Sequence, residues 1–303
     1  MQTFKRIALV VVGVVLLLLV SAAAYAFVQA RAFDASMDKV YDIPLPAASK
    51  SDDPAVIARG KHLSEAFTGC TTPDCHGPDG AGGKVMSMGP LGTLVGPNIT
   101  GGGLGVAYTD GELFRLIRHG VKKDGRSLRF MPAQDFSWLP DADVVALISY
   151  VRSLPAVERP NGPIQMGMIA KILDRAEKLP LDVARHVDHA SAGQGPAPEA
   201  TARYGALLSR ICTGCHGAHL SGGRIPGAPS SLPMPTNLTP HETGLKGWTY
   251  EDFVRLMEQG IKKNGAKLDP FMPFQSFGKM DDTEKRALWT YLSSLPPTEL
   301  GNR

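Results

Sequence analysis

Between residues 212 and 216 the chain places two thiols and an imidazole in five positions, Cys212-Thr213-Gly214-Cys215-His216. On a helix, positions i and i+3 share a face, so both sulfurs point one way and the histidine lies just beyond them. Two thiols can then bond to the edge of a porphyrin while the imidazole reaches its iron, the attachment pattern of c-type haem. A zinc knuckle would need a second ligand pair. A thioredoxin-like redox pair would need a βαβ setting and would lack the adjacent histidine. The two remaining cysteines, Cys70 and Cys75, stand before their own histidine, His76. This second copy of the pattern leaves no cysteine for a structural disulfide.

The first copy is wider. Thr71, Thr72, Pro73 and Asp74 separate its cysteines. Thiols at i and i+5 do not share a helical face, so Pro73-Asp74 must bulge outward for both to meet one porphyrin. The expectation is two covalently attached haem c groups. Cys70, Cys75, Cys212 and Cys215 are the attachment thiols, and His76 and His216 each supply one axial bond to iron.

A second axial ligand decides what each haem does. Met131 lies 55 residues after His76 and Met272 lies 56 after His216, both within Phe-Met-Pro. A thioether opposite histidine raises the reduction potential and closes the iron to outside molecules, which suits electron transfer. The ordinary expectation for most of the 11 methionines is core filling, but recurrence at matching distances singles out these two. The competing histidines, His62, His119, His186, His189, His219 and His241, recur at no matching places. Pro90 and Pro226 are nominated to supply the carbonyls that orient the haem histidines. Asn98-Ile-Thr and Asn237-Leu-Thr recur as well, and either bind a propionate or build Asx turns.

These residues are carried by an internal repeat. His76 and His216 lie 140 apart, as do Tyr108-Thr109 and Trp248-Thr249. Phe130-Met131-Pro132 and Phe271-Met272-Pro273 lie 141 apart, so one residue is inserted between these landmarks. Two copies make two domains. Asp53-Pro54 opens a helix toward Cys70. Thr109 and Glu112 form a capping box for a helix ending at Gly120, repeated from Thr249 to Gly260. Last helices run from near Asp141 to before Pro155 and from near Asp281 to before Pro296. No stretch alternates well enough to be a strand, so the expected class is all-α. Between the repeats, Ile164 to Lys178 reads as one amphipathic helix and Ala190 to Ala200 as a flexible hinge.

At 303 residues the chain has room for two ordinary domains, and its formal charge of +3 does not argue for nucleic acid. Lys5 and Arg6 precede an apolar run from Ile7 to Val28, ~33 Å as a helix and enough to cross a bilayer core. The rival is a signal peptide cleaved at Ala24-Tyr25-Ala26, but the apolar run continues through that site. The expected organisation is a membrane anchor over 1–30 and an extended linker over 31–52. Haem domains follow over 53–157 and 197–303, with a linker bearing a short amphipathic helix over 158–196.

Cys-x-x-Cys-His, then Phe-Met-Pro, then a closing Tyr-x-x-x-Leu-Pro helix resembles class I cytochrome c domains, over residues 53–157 and 197–298. Two such domains behind an anchor resemble the membrane-anchored dihaem cytochromes c. The run from Gly222-Gly223-Arg224-Ile225-Pro226 to Thr236-Asn237-Leu238-Thr239-Pro240 is similar to the cytochrome subunit of quinoprotein alcohol dehydrogenases, which carries three haem motifs rather than two. The resemblance implies a single pass of the bacterial inner membrane with the haem domains on the periplasmic side. It also implies redox protein partners, whether a dehydrogenase, an oxidase or a soluble cytochrome. The expected function is an electron carrier with no catalytic residues. The competing readings are a tightly bound subunit of a dehydrogenase or oxidase complex, and a dihaem enzyme such as a peroxidase.

Overall fold

The computed structural model describes residues 2–162, 164–226, 228 and 230–303. The chain is mostly helical. Helix α1 (Gln2–Met37) is long and apolar enough to cross a membrane. It runs past the expected end of the anchor at residue 30, because its last turns have a folded surface to pack on. Phe33 and Met37 are buried in one cluster with Ala170 and Leu181. The expected extended linker therefore begins only after Met37, and it is strapped to the first domain. Tyr41 N–H donates to the Gly125 carbonyl (2.8 Å), Arg115 reaches the Ile43 carbonyl (3.3 Å), and Ser51 N–H donates to Ser149 Oγ (2.8 Å).

In the first domain, α2 (Pro54–Leu63) starts as its sequence dictates: Asp53 caps it by accepting the Ala55 N–H (2.8 Å), and Pro54 takes the first helical position. It packs across α6 (Asp141–Ser153). The approach is so close that a Cβ at Gly60 would collide with the Ala146 carbonyl. The second domain repeats this crossing with α8 (Ala202–Leu208) and α12 (Asp282–Ser294), where Gly205 meets the Ala287 carbonyl. Helices α4 (Asp110–His119) and α10 (Tyr250–Gln259) both carry the expected capping boxes and end at left-handed Gly120 and Gly260. Short helices α3 (Leu104–Ala107), α5 (Ala133–Phe136) and α11 (Phe274–Phe277) fill the loops.

Three short strands, β1 (Met86–Ser87), β2 (Gly92–Leu94) and β3 (Gln165–Met166), form an antiparallel sheet in that order. Strands of two or three residues are too short to show alternation, which is why the sequence concealed them. The third of them takes the first residues of the expected connector helix, so that helix shrinks to α7 (Met168–Arg175). The expected hinge is also tied down. Gly193 N–H donates to the Ser137 carbonyl (2.7 Å) and Gly195 N–H to the Trp138 carbonyl (3.0 Å).

The two repeats pack directly on each other through one continuous apolar core, in which Trp138 meets Tyr204 edge to face. A buried ionic clasp crosses the same boundary. Arg59 on α2 pairs with Asp143 (3.0 Å) and with the fully buried Glu284 of α12 (3.2 Å), and His62 Nε2 also bonds Glu284 (2.8 Å). Breaking such a cluster would leave a buried charge without a partner, so it holds the domains in one arrangement.

Candidate haem sites

The candidate haem histidines are aimed by the loops that follow them. His76 Nδ1 bonds the Pro97 carbonyl (2.8 Å) and His216 Nδ1 the Thr236 carbonyl (2.7 Å). A carbonyl can only accept, so each Nδ1 carries the hydrogen and each Nε2 lone pair is left for a metal. The acceptors are therefore not Pro90 and Pro226. They are the residues just before Asn98 and Asn237, whose side chains clamp the loop in place.

Asn98 Oδ1 accepts from the Thr100 N–H (3.0 Å) and hydroxyl (2.8 Å), while its Nδ2 donates to the Val157 (2.8 Å) and Arg159 (3.2 Å) carbonyls. Asn237 Oδ1 accepts from the Thr239 N–H (2.9 Å) and hydroxyl (2.8 Å), and its Nδ2 donates to the Thr298 carbonyl (2.7 Å) and Thr243 hydroxyl (3.1 Å). Both amides spend their hydrogen-bonding capacity shaping the loop and tying it to the segments at 157–159 and 298. Of the two readings of these asparagines, loop construction is the one the geometry displays. Burial lowers the pKa of His76 and His216, which keeps both imidazoles neutral and fit to bind iron.

In the first domain the expected residues converge. Cys70, His76 and Met131 line a cavity of about 510 Å³ whose other walls include Ile99, Leu104, Leu113, Leu116, Ile117, Ile148 and Val151. A neighbouring cavity of about 110 Å³ shares those three residues and adds Cys75 and Phe130. An apolar cleft with a thiol edge, a bare imidazole nitrogen and a thioether fits a porphyrin. Asn161, Gly162 and Ile164 complete the wall. Sequence reasoning missed these three, because they lie in the connector and have no repeat partners.

The two attachment segments differ in path. In the second domain α9 (Arg210–His216) is helical through both cysteines to the histidine, and Gly217 ends it with φ 81°. Burial pushes the Cys212 thiol up to about 12. In the first domain α2 widens into a π turn over Ser64–Thr68, and Gly69 leaves the helix at φ 64°. The chain then loops outward, as the wide spacing required. It returns so that His76 N–H bonds the Cys70 carbonyl (3.0 Å), where a helix would bond residues four apart.

The methionine loops share one device. After each C-cap glycine the chain makes a small bridged turn, Val121 to Ser127 in one copy and Ile261 to Lys267 in the other. Each proline then closes a tight three-residue turn: Ala133 N–H bonds the Met131 carbonyl (2.8 Å) and Phe274 N–H the Met272 carbonyl (2.7 Å). Pro132 (φ −80°, ψ 65°) and Pro273 (φ −77°, ψ 55°) suit the inverse γ-turn this requires. Met272 is half-buried and holds the same place in its repeat as Met131. Phe130 and Phe271 are 38% and 43% exposed, so neither is a core residue.

The cytochrome c family profile matches residues 57–155 and again 202–296, together more than half of the chain. The chain is similar to the cytochrome c subunit of the quinone alcohol dehydrogenase of Gluconobacter oxydans (strain 621H), with 32% identity over 115 residues. That match takes in 35% of this chain and 24% of the relative. It is similar to the gluconate 2-dehydrogenase cytochrome c subunit of Pantoea cypripedii, 31% identical over 115 residues, covering 35% of this chain and 26% of that protein. The fructose dehydrogenase cytochrome subunit of Gluconobacter japonicus is 32% identical over 91 residues, covering 28% of this chain and 19% of that protein. The chain thus spans about a quarter or less of the length of these relatives. With the same family recognised at both repeats, the chain belongs to the cytochrome c family and carries two of its domains, a kind of domain that holds covalently bound haem c.

Proposed function

We propose that this chain is a membrane-anchored dihaem electron carrier working as the cytochrome subunit of a dehydrogenase complex. The observation that carries this reading is the histidine and methionine repeated at matching places in both domains, with the first set gathered on one apolar cavity. Cys70, Cys75, Cys212 and Cys215 would attach the two haem groups, and His76, His216, Met131 and Met272 would hold their irons. Bound haem supplies the one-electron chemistry, and the protein sets potential, exposure and docking. The relatives named above are dehydrogenase cytochrome subunits, which favours work within an assembly over a free carrier. A dihaem peroxidase would need an open or displaceable ligand, and Met131 on the cavity wall speaks against one there.

In this reading α1 crosses the bacterial inner membrane once, with Lys5 and Arg6 inside and the haem domains in the periplasm. Its helix is unbroken from Gln2 to Met37, and its far end is built into folded protein, which would hold such an anchor against the first domain. Intact mass and a pyridine haemochrome assay should give two covalent haems per chain in carbonate-washed membranes, with the N-terminus at Met1. The reduced protein should refuse carbon monoxide, and a dehydrogenase subunit should co-purify. Stoichiometric carbon monoxide binding at one haem would remove that methionine as a ligand and put the enzyme reading ahead.

A further inference from the structure

Helix α1 is covered along one stripe only near its C-terminal end. Ala26 and Gln29 are half-covered, and Ala30, Phe33 and Met37 are buried. Positions 26, 30, 33 and 37 fall on one helical face. Helix α7 packs there. Its Ala170 is fully buried in the cluster of Phe33 and Met37, and Lys171 Nζ bonds the Asp34 carboxylate (2.7 Å) while lying 5.9 Å from the Phe33 ring centre. The covered stripe starts inside the apolar run that ends at Val28. The contacts of α7 fall at Phe33, Asp34 and Met37, so α7 lies beside the segment of α1 that follows the apolar run, next to the headgroup side of the bilayer.

The inward positions of α7 are a small residue, Ala170, and a carboxylate, Asp174, held by Arg185 (3.0 Å) and by the Leu181 and Asp182 N–H groups (2.8 and 3.0 Å). Its bulky apolar residues point elsewhere. Met168 is 52% and Ile169 47% exposed, and Ile172 and Leu173 are part-exposed on the same side at i+3 and i+4 from Ile169. A helix in water turns such a stripe toward the core. The nearby carboxylates are already paired, Asp34 with Lys171 and Glu177 with Arg185, while Arg175 and Lys178 follow the stripe. An apolar face with basic residues beside it is the composition of a helix lying in a membrane interface.

We propose that α7 is a lipid seat: its stripe of Met168, Ile169, Ile172 and Leu173 lies in the headgroup–acyl boundary of the bilayer that α1 crosses. This rests on the anchor reading given above. The seat is joined stiffly to the first haem cleft. Ile164 on the cavity wall directly precedes β3, and Gly167 N–H donates to the Leu91 carbonyl (2.9 Å) at the root of α7. Burying the stripe by ~5–10 Å thus fixes the first cleft against the membrane surface.

Site-directed spin labels test this in the haem-loaded full chain, reconstituted into vesicles of phosphatidylethanolamine and phosphatidylglycerol. Single labels go on Ile169→Cys, Met168→Cys, Val15→Cys and Glu251→Cys, each checked for an unchanged haem spectrum. Collision with oxygen, which concentrates in lipid, should exceed collision with a water-soluble nickel chelate severalfold at 15, 168 and 169, and the ratio should invert at 251. A lipid-buried label at 15 with water-exposed labels at 168 and 169 overturns the seat and leaves the anchor standing. A water-exposed label at 15 overturns the anchor reading, and the seat with it.

Discussion

The two candidate attachment segments lead to similarly anchored histidines by different backbones. One is a helix through Cys212 and Cys215 to His216; the other is a π turn, a left-handed glycine and an outward loop from Cys70 to His76. What they share is the anchoring beyond the histidine. The His76 carbonyl accepts from Gly82 N–H (2.9 Å) and the His216 carbonyl from Gly222 N–H (2.8 Å), and each imidazole bonds the carbonyl before its clamped asparagine. The fold constrains where thiol and imidazole finish, not the path between them.

At the methionine loops the contrast reverses. There the second copy has the extra residue, Pro270, and the first carries the strain. Met131 N–H bonds the Arg129 carbonyl across one residue (2.9 Å), which holds Phe130 at φ 71°. That is a γ-turn in a backbone region costly for a bulky residue. With the insertion, Met272 N–H bonds the Asp269 carbonyl across two residues (3.1 Å), and Phe271 is not among the positive-φ residues. The position before each loop also changes sign, from Arg129, which lines the first cavity, to Asp269.

The largest effect should come from the proposed ligands that make the two sites alike. Met131→Ala and Met272→Ala should each lower the potential of its own haem by on the order of 0.1 V, within the ~0.8 V that axial ligands span. Each should let carbon monoxide bind that haem alone, read by spectroelectrochemistry and titration. A single unaffected haem would break the equivalence.

Next come the twin helix crossings. Gly60→Ala and Gly205→Ala each drive a methyl into a facing carbonyl, and each should destabilise the fold by roughly 1–3 kcal/mol in denaturant titration. A tolerated Gly60→Ala would show that the first crossing has slack the second lacks.

Smaller shifts should follow from charge. Arg129→Gln should lower the first potential and Asp269→Asn raise the second. Each is on the order of 1 kcal/mol at an effective dielectric near 20, or roughly tens of millivolts.

The smallest effect concerns Asp135, whose repeat partner is Ser276. Burial pushes the Asp135 carboxyl up from 3.8 to about 6, with Arg210 pulling the other way. The folded state thus holds this proton more tightly than the unfolded chain. Its stabilisation is fully present below pH 3.8 and is lost as pH rises through about 6. Asp135→Asn should flatten the melting temperature across that window, whereas Ser276→Asn should leave the profile unchanged.

The sequence by itself determined the chemistry and the repeat. Thiol, imidazole and thioether recur at fixed spacings, and capping boxes, C-cap glycines and prolines are local signals read within a few residues. It also announced the bulge at Cys70–Cys75, because helix periodicity forbids thiols at i and i+5 from sharing a face. The tertiary structure alone decided which carbonyls aim the histidines, that Asn98 and Asn237 clamp loops, and that the connector walls the first cleft and pairs as a strand. It alone extended α1 to Met37 and joined two repeats through Arg59, His62 and Glu284. These are contacts between segments tens to hundreds of residues apart. Such contacts follow from which surfaces meet after folding, and no local spacing encodes them.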